Sequence, residues 1–332
     1  MCKVRYSDTL SQTPSILLTL EENRTRYEEL IRRACTPLLP IPTGVHAELP
    51  HLPSIKAVLF DIYGTLLISG SGEVGSSTQK PTEIPSLPRF HDVLSESGFT
   101  VIADPQLFDV KCNELYIGYI NSRHDDLKKL GIQYPEVDIL SIWHRLLTHL
   151  LNGNYISGKI TVDNLILTAL LFELDANRTW TMPGTCELIR TLKNRGIMTG
   201  IVSNAQFYTP YIFETLIGSS LTEAGFSTRV MSWSYLNGYA KPSLEMFSSV
   251  IKFIQNSGIT TTDVIYIGND MLNDISTAAE LGLRTVLFAG DQRSLRLRKE
   301  NHQLQTCQPD AIITELRQLI RIIDGETNHL EE

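Results

Sequence analysis

The chain has 332 residues and a formal net charge of −8. That length can bury a substantial core, as one large domain with an insertion or as two domains, while the acidic balance argues against the basic face that nucleic acid requires. Five scattered cysteines, Cys2, Cys35, Cys112, Cys186 and Cys307, are never spaced as CxxC, so neither a disulfide framework nor a zinc site is signalled. Reduced thiols suit a cytoplasmic location. The apolar runs at 16–18 and 165–172 fall short of the roughly 20 residues of a membrane span, so no membrane contact is expected.

In chain order, residues 1–54 read as an N-terminal extension, with a helix over 21–34 followed by a connector containing Pro37, Pro40, Pro42, Pro50 and Pro53. Each proline removes a backbone donor and disfavours helix just before it, so the connector should lie extended on the surface. From Ile55 the pattern becomes Ile55-Lys56-Ala57-Val58-Leu59-Phe60, an apolar, β-branched run of the kind a buried parallel strand needs. The Gly/Ser-rich stretch 69–77 lacks the GK[ST] ending of a P-loop and reads as a hinge or flap. Helical periodicity follows over 88–97, 104–130, 136–151 and 162–174, a compact helical module. Alternation then predicts helix 184–194, strand 197–202, helix 211–217, strand 228–231, helix 244–255, strand 264–267, helix 273–281, strand 285–288, and a last strand and helix within 311–323.

This alternation predicts an α/β fold, a Rossmann-like doubly wound parallel sheet with helices on both faces. The segments 55–84 and 176–325 form the sheet core, residues 85–175 an inserted helical cap, and residues 326–332 a C-terminal tail. Ligands bind outside the carboxyl ends of such strands. The polar residues there are Asp61, Ser203 with Asn204, and Asn269-Asp270 followed by Asp274; Lys241-Pro242 precedes a helix. Singly, a strand-end Asp is a common cap and a Ser-Asn pair a common turn. Jointly they form a candidate site in which a carboxylate is the nucleophile.

In their order, Asp61-Ile62-Tyr63-Gly64-Thr65, Ser203-Asn204, Lys241-Pro242 and Gly268-Asn269-Asp270-Met271-Leu272-Asn273-Asp274 resemble the four signatures of the haloacid dehalogenase-like hydrolase superfamily. The resemblance covers roughly residues 55–325 and leaves out 1–54. It implies that Asp61 is the nucleophile, that Ser203 and Asn204 hold the transferring group, that Lys241 offsets the carboxylates, and that Thr65 supports the loop. It further implies Mg²⁺ held by Asp61, Asp270 and the backbone carbonyl of Tyr63, with Asp274 completing the acidic motif. Which of Asn269, Asp270 and Asp274 touches the metal stays open.

Tyr63 divides the chemistry. Family phosphatases carry a second aspartate there as proton donor and base, a contribution of about 10²–10⁴-fold. A tyrosine with a reference pKa near 10 is a poorer acid. The family's dehalogenases carry D-x-Y-G-T and need neither metal nor a protonated leaving group. Against this, three acids gather with only Lys241 to offset them, and like charges about 4 Å apart repel by roughly 4 kcal/mol at an effective dielectric near 20. A divalent cation is the simplest remedy. The favoured expectation is Mg²⁺-dependent hydrolysis of a small anionic phosphate ester; the alternative is metal-independent 2-haloacid dehalogenase-type hydrolysis at carbon, and a third is a non-catalytic binding protein. In the cap, Arg123 and His124 read as a solvated charged face, with contact to an anionic substrate as the alternative, and His144 and His149 as surface or packing residues. The basic run 293–299 reads as a solvated helix face or a contact with the N-terminal extension.

Overall fold

Strand β1, Ala57–Phe60, is completely buried, and the period of two along it sorts its side chains between two cores. Ala57 and Leu59 pack with Met246, Phe247, Val250 and Ile254 of helix Glu245–Asn256, whereas Val58 and Phe60 join a cluster containing Phe213, Leu319 and Ile322. Both faces of the sheet are therefore covered, which explains why its strands lack polar alternation. The molecule is described by a computed structural model for residues 10–71 and 89–325. Most of the Gly/Ser stretch and the 326–332 tail lie outside the described residues.

Five more strands complete the main sheet: β2 Met198–Ser203, β3 Phe226–Trp233, β4 Val264–Gly268, β5 Arg284–Phe288 and β6 Ala311–Ile313. All pairs are parallel, in the order β6-β5-β4-β1-β2-β3. The chain moves outward from β1 through β2 to β3, then returns to lay β4 on the other side of β1. The topological switch point falls between β1 and β4, where α/β sheets bind ligands. The doubly wound α/β fold expected from the sequence is the observed one.

Four helices, Phe90–Glu96, Pro105–Lys129, Ile139–Asn152 and Val162–Ala176, form the inserted module between β1 and β2. They close on the rings of Phe90, Tyr116, Trp143 and Phe172, with centroids between 4.9 and 6.1 Å apart. Helix Val162–Ala176 starts from a capping box between Thr161 and Asn164 and buries every residue from Leu165 to Leu174, as a helix enclosed on all sides must. A ribbon pairing Leu67–Ser69 with Thr179–Thr181 ties together the points where the chain leaves and re-enters the core. These strands are too short to show alternation in sequence. No helix among the described residues is long and apolar enough to cross a membrane.

The N-terminal helix expected over 21–34 is two helices, Pro14–Glu22 and Arg24–Ala34, separated at Asn23. They bury Ile16, Leu20, Tyr27 and Ile31 in the main core. Tyr27 Oη donates to Asp163 Oδ1 of the helical module at 2.8 Å, and Arg24 Nη2 pairs with Glu214 Oε2 at 2.6 Å. The proline-rich segment carries no helix or strand, yet it is anchored: Glu48 bridges the β6 residue Ile312, and Leu52 N donates to Ile322 O at 2.9 Å. Residues 10–54 thus cross both the module and the sheet core.

Candidate active site

Asp61 directly follows β1 and donates its N–H to Ile267 O of β4 at 3.0 Å, which fixes the carboxylate at the switch point. Its Oδ1 accepts from Ser203 Oγ at 2.9 Å and Lys241 Nζ at 2.8 Å, while Oδ2 accepts from no described residue. Gly64 turns the chain back with φ of +81°; a Cβ there would lie 2.4 Å from Ser294 Cβ, so only glycine fits. Thr65 Oγ1 donates to Asn269 Oδ1 at 3.2 Å and joins the turn to the end of β4.

Lys241 is buried, and its three N–H donors have three partners: Asp61 Oδ1, Asp274 Oδ1 at 2.5 Å and Tyr266 Oη at 2.9 Å. Burial lowers its pKa, but the Asp274 and Asp61 carboxylates outweigh burial and hold the ammonium above its ordinary value. Asn204 Oδ1 accepts from Lys241 N at 2.7 Å. Its side chain holds the lysine backbone, with Nδ2 also donating to Lys241 O at 3.4 Å. Tyr266 Oη also lies 2.8 Å from Val202 O and 3.1 Å from Asp274 Oδ1, the acceptors open to its single proton.

After β4 the chain makes a π-helical turn, Met271–Ser276, before the α-helix Thr277–Glu280. The wide turn brings Asp274 back under the strand end, where Oδ2 accepts from Asp270 N at 3.0 Å. A Cβ on Gly268 would sit 2.3 Å from that carboxylate. Burial pushes Asp274 up to about 6, although Lys241 pulls it down and Asp61 and Asp270 add to the rise.

Asp270, the expected metal ligand, is fully engaged by neighbouring donors. Its Oδ1 accepts from Leu272 N, Asn273 N and Arg298 Nε at 2.8, 3.2 and 3.2 Å; its Oδ2 accepts from Asn273 Nδ2 at 3.1 Å and Arg298 Nη2 at 2.6 Å. A carboxylate offers about four lone-pair sites, so none is left open to a metal. Among the described residues no group of three or more His, Cys, Asp or Glu side chains is arranged to hold a metal ion. Mg²⁺ held by Asp61, the Tyr63 carbonyl and Asp270 would therefore have to displace the Arg298 fork from Asp270. Arg298 also answers the charge argument: Lys241 is not alone against three acids. Asn269 is engaged as well, through Thr65 and through Nδ2 donating to Ser294 O at 2.6 Å.

Tyr63 is a core residue. Its Oη lies 3.2 Å from Thr209 Oγ1, and no hydrogen bond joins it to Asp61, Asp270 or Asp274. Burial holds the phenol well above its ordinary pKa, and the Glu173 carboxylate of the cap reinforces this. Such a group is a poor proton donor and no base. The residues not foreseen are Tyr266 and Arg298. A polar ring in the buried run Val264-Ile265-Tyr266-Ile267 was a usable signal; the basic run 293–299 was noted, but it contains no helix, and its Arg298 faces the acidic motif.

A sequence profile described as haloacid dehalogenase-like hydrolase matches residues 55–282, more than half of the chain. The chain belongs to this family. No curated protein matches it in sequence. Among solved structures, it is similar to a 2-haloacid dehalogenase from Pseudomonas syringae, with 15% identity over 81% of this chain and 97% of that one and a TM-score of 0.48. An L-2-haloacid dehalogenase from Xanthobacter autotrophicus gives 16%, 82%, 100% and 0.42 for the same quantities. A predicted phosphoglycolate phosphatase from Haemophilus somnus gives 16%, 81%, 98% and 0.43.

Proposed function

We propose that Asp61 is the nucleophile of a metal-independent hydrolysis at carbon, acting on a small substrate whose leaving group departs as a stable anion, as a halide does. The observation that carries this reading is the asymmetry of the Asp61 carboxylate: Oδ1 holds Ser203 and Lys241, and Oδ2 accepts from no described residue. In the first step Oδ2 attacks the carbon, a C–O bond forms, and the leaving group takes the bonding pair. The carbonyl oxygen of the resulting ester is Oδ1, already facing two donors. Water then adds to Cγ, and Ser203 and Lys241 stabilise the oxyanion on Oδ1. Collapse releases an alcohol bearing the former Oδ2 and regenerates the carboxylate with the water's oxygen; one water proton goes to the alcohol and one to solvent. Losing one such preorganised donor costs about 10²–10³ in rate. No proton has to reach the leaving group, consistent with Tyr63 facing Thr209.

A second reading, Mg²⁺-dependent hydrolysis of a phosphate ester, has the grouping of Asp61, Asp270 and Asp274 in its favour. It requires Arg298 to leave Asp270 and a proton donor other than Tyr63. The two readings separate in one panel: halide release from short α-halo carboxylates in chelator, and phosphate release from small phosphate esters in Mg²⁺. Halide release that survives chelator and disappears in Asp61→Asn is the expected result. Phosphate release that depends on Mg²⁺ and Asp61 would replace the first reading with the second.

A further inference from the structure

The basic run and the N-terminal extension meet at one loop. Residues 39–43 of the extension clasp it: Ile41 N donates to Asp291 Oδ1 at 3.2 Å, Gln292 N to Ile41 O at 2.8 Å, and Thr43 Oγ1 to Ala289 O at 2.7 Å. The Arg293 guanidinium reaches both Leu39 O and Asp291, whose side chain is fully buried. The same loop is laced to the acidic motif by Arg296 N to Asn269 O and Met271 N to Arg296 O, each 2.9 Å. The backbone leading to Arg298 is thus fixed from two sides, and Arg298 itself sits at φ of +51°, a conformation uncommon outside glycine. From there its guanidinium meets Asp270 as a two-pronged fork, the strong geometry for an arginine-carboxylate pair.

We propose that Arg298 is a built-in cation standing in for a divalent metal ion at this site, and that the N-terminal arm, by fixing the 289–298 loop, keeps it there. The guanidinium carries one charge that does not titrate and does not dissociate, and its fork completes the Asp270 carboxylate that a metal would need. Arg298 lines a cleft of about 290 Å³ together with Thr43, Leu295, Leu297 and Lys299 among others. This rests on the metal-free reading above only for its catalytic consequence; its test reads binding.

The test is thermal unfolding of the full chain in chelator and in excess Mg²⁺. The wild-type midpoint should be the same in both. Arg298→Met should unfold earlier in chelator and regain several degrees in Mg²⁺, because an ion that binds only the native state stabilises it; Arg298→Met with Asp270→Asn should lose that gain. Asp291→Asn, which loosens the arm's hold without touching the pair, should show a smaller gain. A wild-type midpoint that rises with Mg²⁺, or an Arg298→Met protein indifferent to it, overturns the proposal, and an unresponsive Asp291→Asn removes the arm from it. If Arg298→Met does not fold, Arg298→Gln, which removes the charge while keeping a polar side chain, takes its place under the same criteria. Failure of halide release with the predicted Mg²⁺ pattern would defeat the proposed reaction and leave the role of Arg298 standing.

Discussion

Lys241 concentrates the electrostatics of the site in one ammonium. It neutralises Asp61, holds Asp274 and takes the Tyr266 hydroxyl, all within a buried volume. Lys241→Met would strand two buried carboxylates, and breaking a buried pair from one side costs about 3–5 kcal/mol. Denaturant unfolding should show that loss together with the disappearance of activity; a variant of wild-type stability would mean the carboxylates are neutral without the lysine. Tyr63 gives the opposite expectation. Among the described residues its hydroxyl bonds only Thr209, so Tyr63→Phe should leave kcat within a few-fold and cost about 1 kcal/mol, the usual net value of one hydrogen bond. A hundredfold fall in kcat with stability intact would make the phenol a proton donor after all.

Between the cap and the core, a short backbone pairing sets the element scale. Glu136 N donates to Gly238 O at 3.1 Å and Ala240 N to Tyr134 O at 2.9 Å, directly before Lys241. The Glu136 carboxyl sits in this seam, with Oε2 2.6 Å from Ser234 Oγ and Oε1 3.1 Å from Gln206 Nε2. Burial pushes it up to about 7, outweighing the hydrogen bonds from Ser234, Val137 N–H and Gln206, and nearby Asp138 adds to the rise. In the neutral form the acid can donate to Ser234 Oγ, freeing the serine proton for Ala205 O at 3.0 Å. Because the folded value lies above the unfolded value of 4.5, the native state holds the extra proton. The stability this contributes is complete below about 4.5 and is lost as pH rises through about 7. Melting curves across that window should show a falling contribution that Glu136→Gln flattens; parallel profiles for the two proteins would contradict it. The sequence contains this seam only as an acid following Pro135, because nothing local says which distant backbone pairs with Tyr134 and Glu136.

At the scale of the whole molecule, the N-terminal residues are part of the folded body. Tyr27 is buried in the main core and hydrogen-bonded to Asp163. Tyr27→Ala should destabilise the protein by roughly 3–5 kcal/mol, as truncation of a buried ring does, and a loss under 1 kcal/mol would show the extension to be loosely attached. Legibility follows physical range. The main strands and the long helices were readable because their patterns repeat over many residues, and Asp61, Ser203, Lys241 and Asp274 because strand ends and the family's signatures mark them. The break at Asn23, the π-helical turn and the pairing of Asp270 with Arg298 were not, since each depends on packing or on a partner far along the chain. The charge balance behind the metal expectation left out that pair: acids can be counted in a sequence, but the guanidinium opposing one of them is visible only in the fold.

The most direct test of the central claim, attack by Asp61 at carbon followed by water addition to its own Cγ, is repeated turnover of an α-halo carboxylate in heavy-oxygen water. Mass spectrometry of the peptide containing Asp61 then reads where the water's oxygen went. The predicted result is heavy oxygen in the Asp61 carboxylate, accumulating without added metal and absent in Asp61→Asn. Turnover that leaves Asp61 unlabelled and sends the heavy oxygen only into product would contradict it.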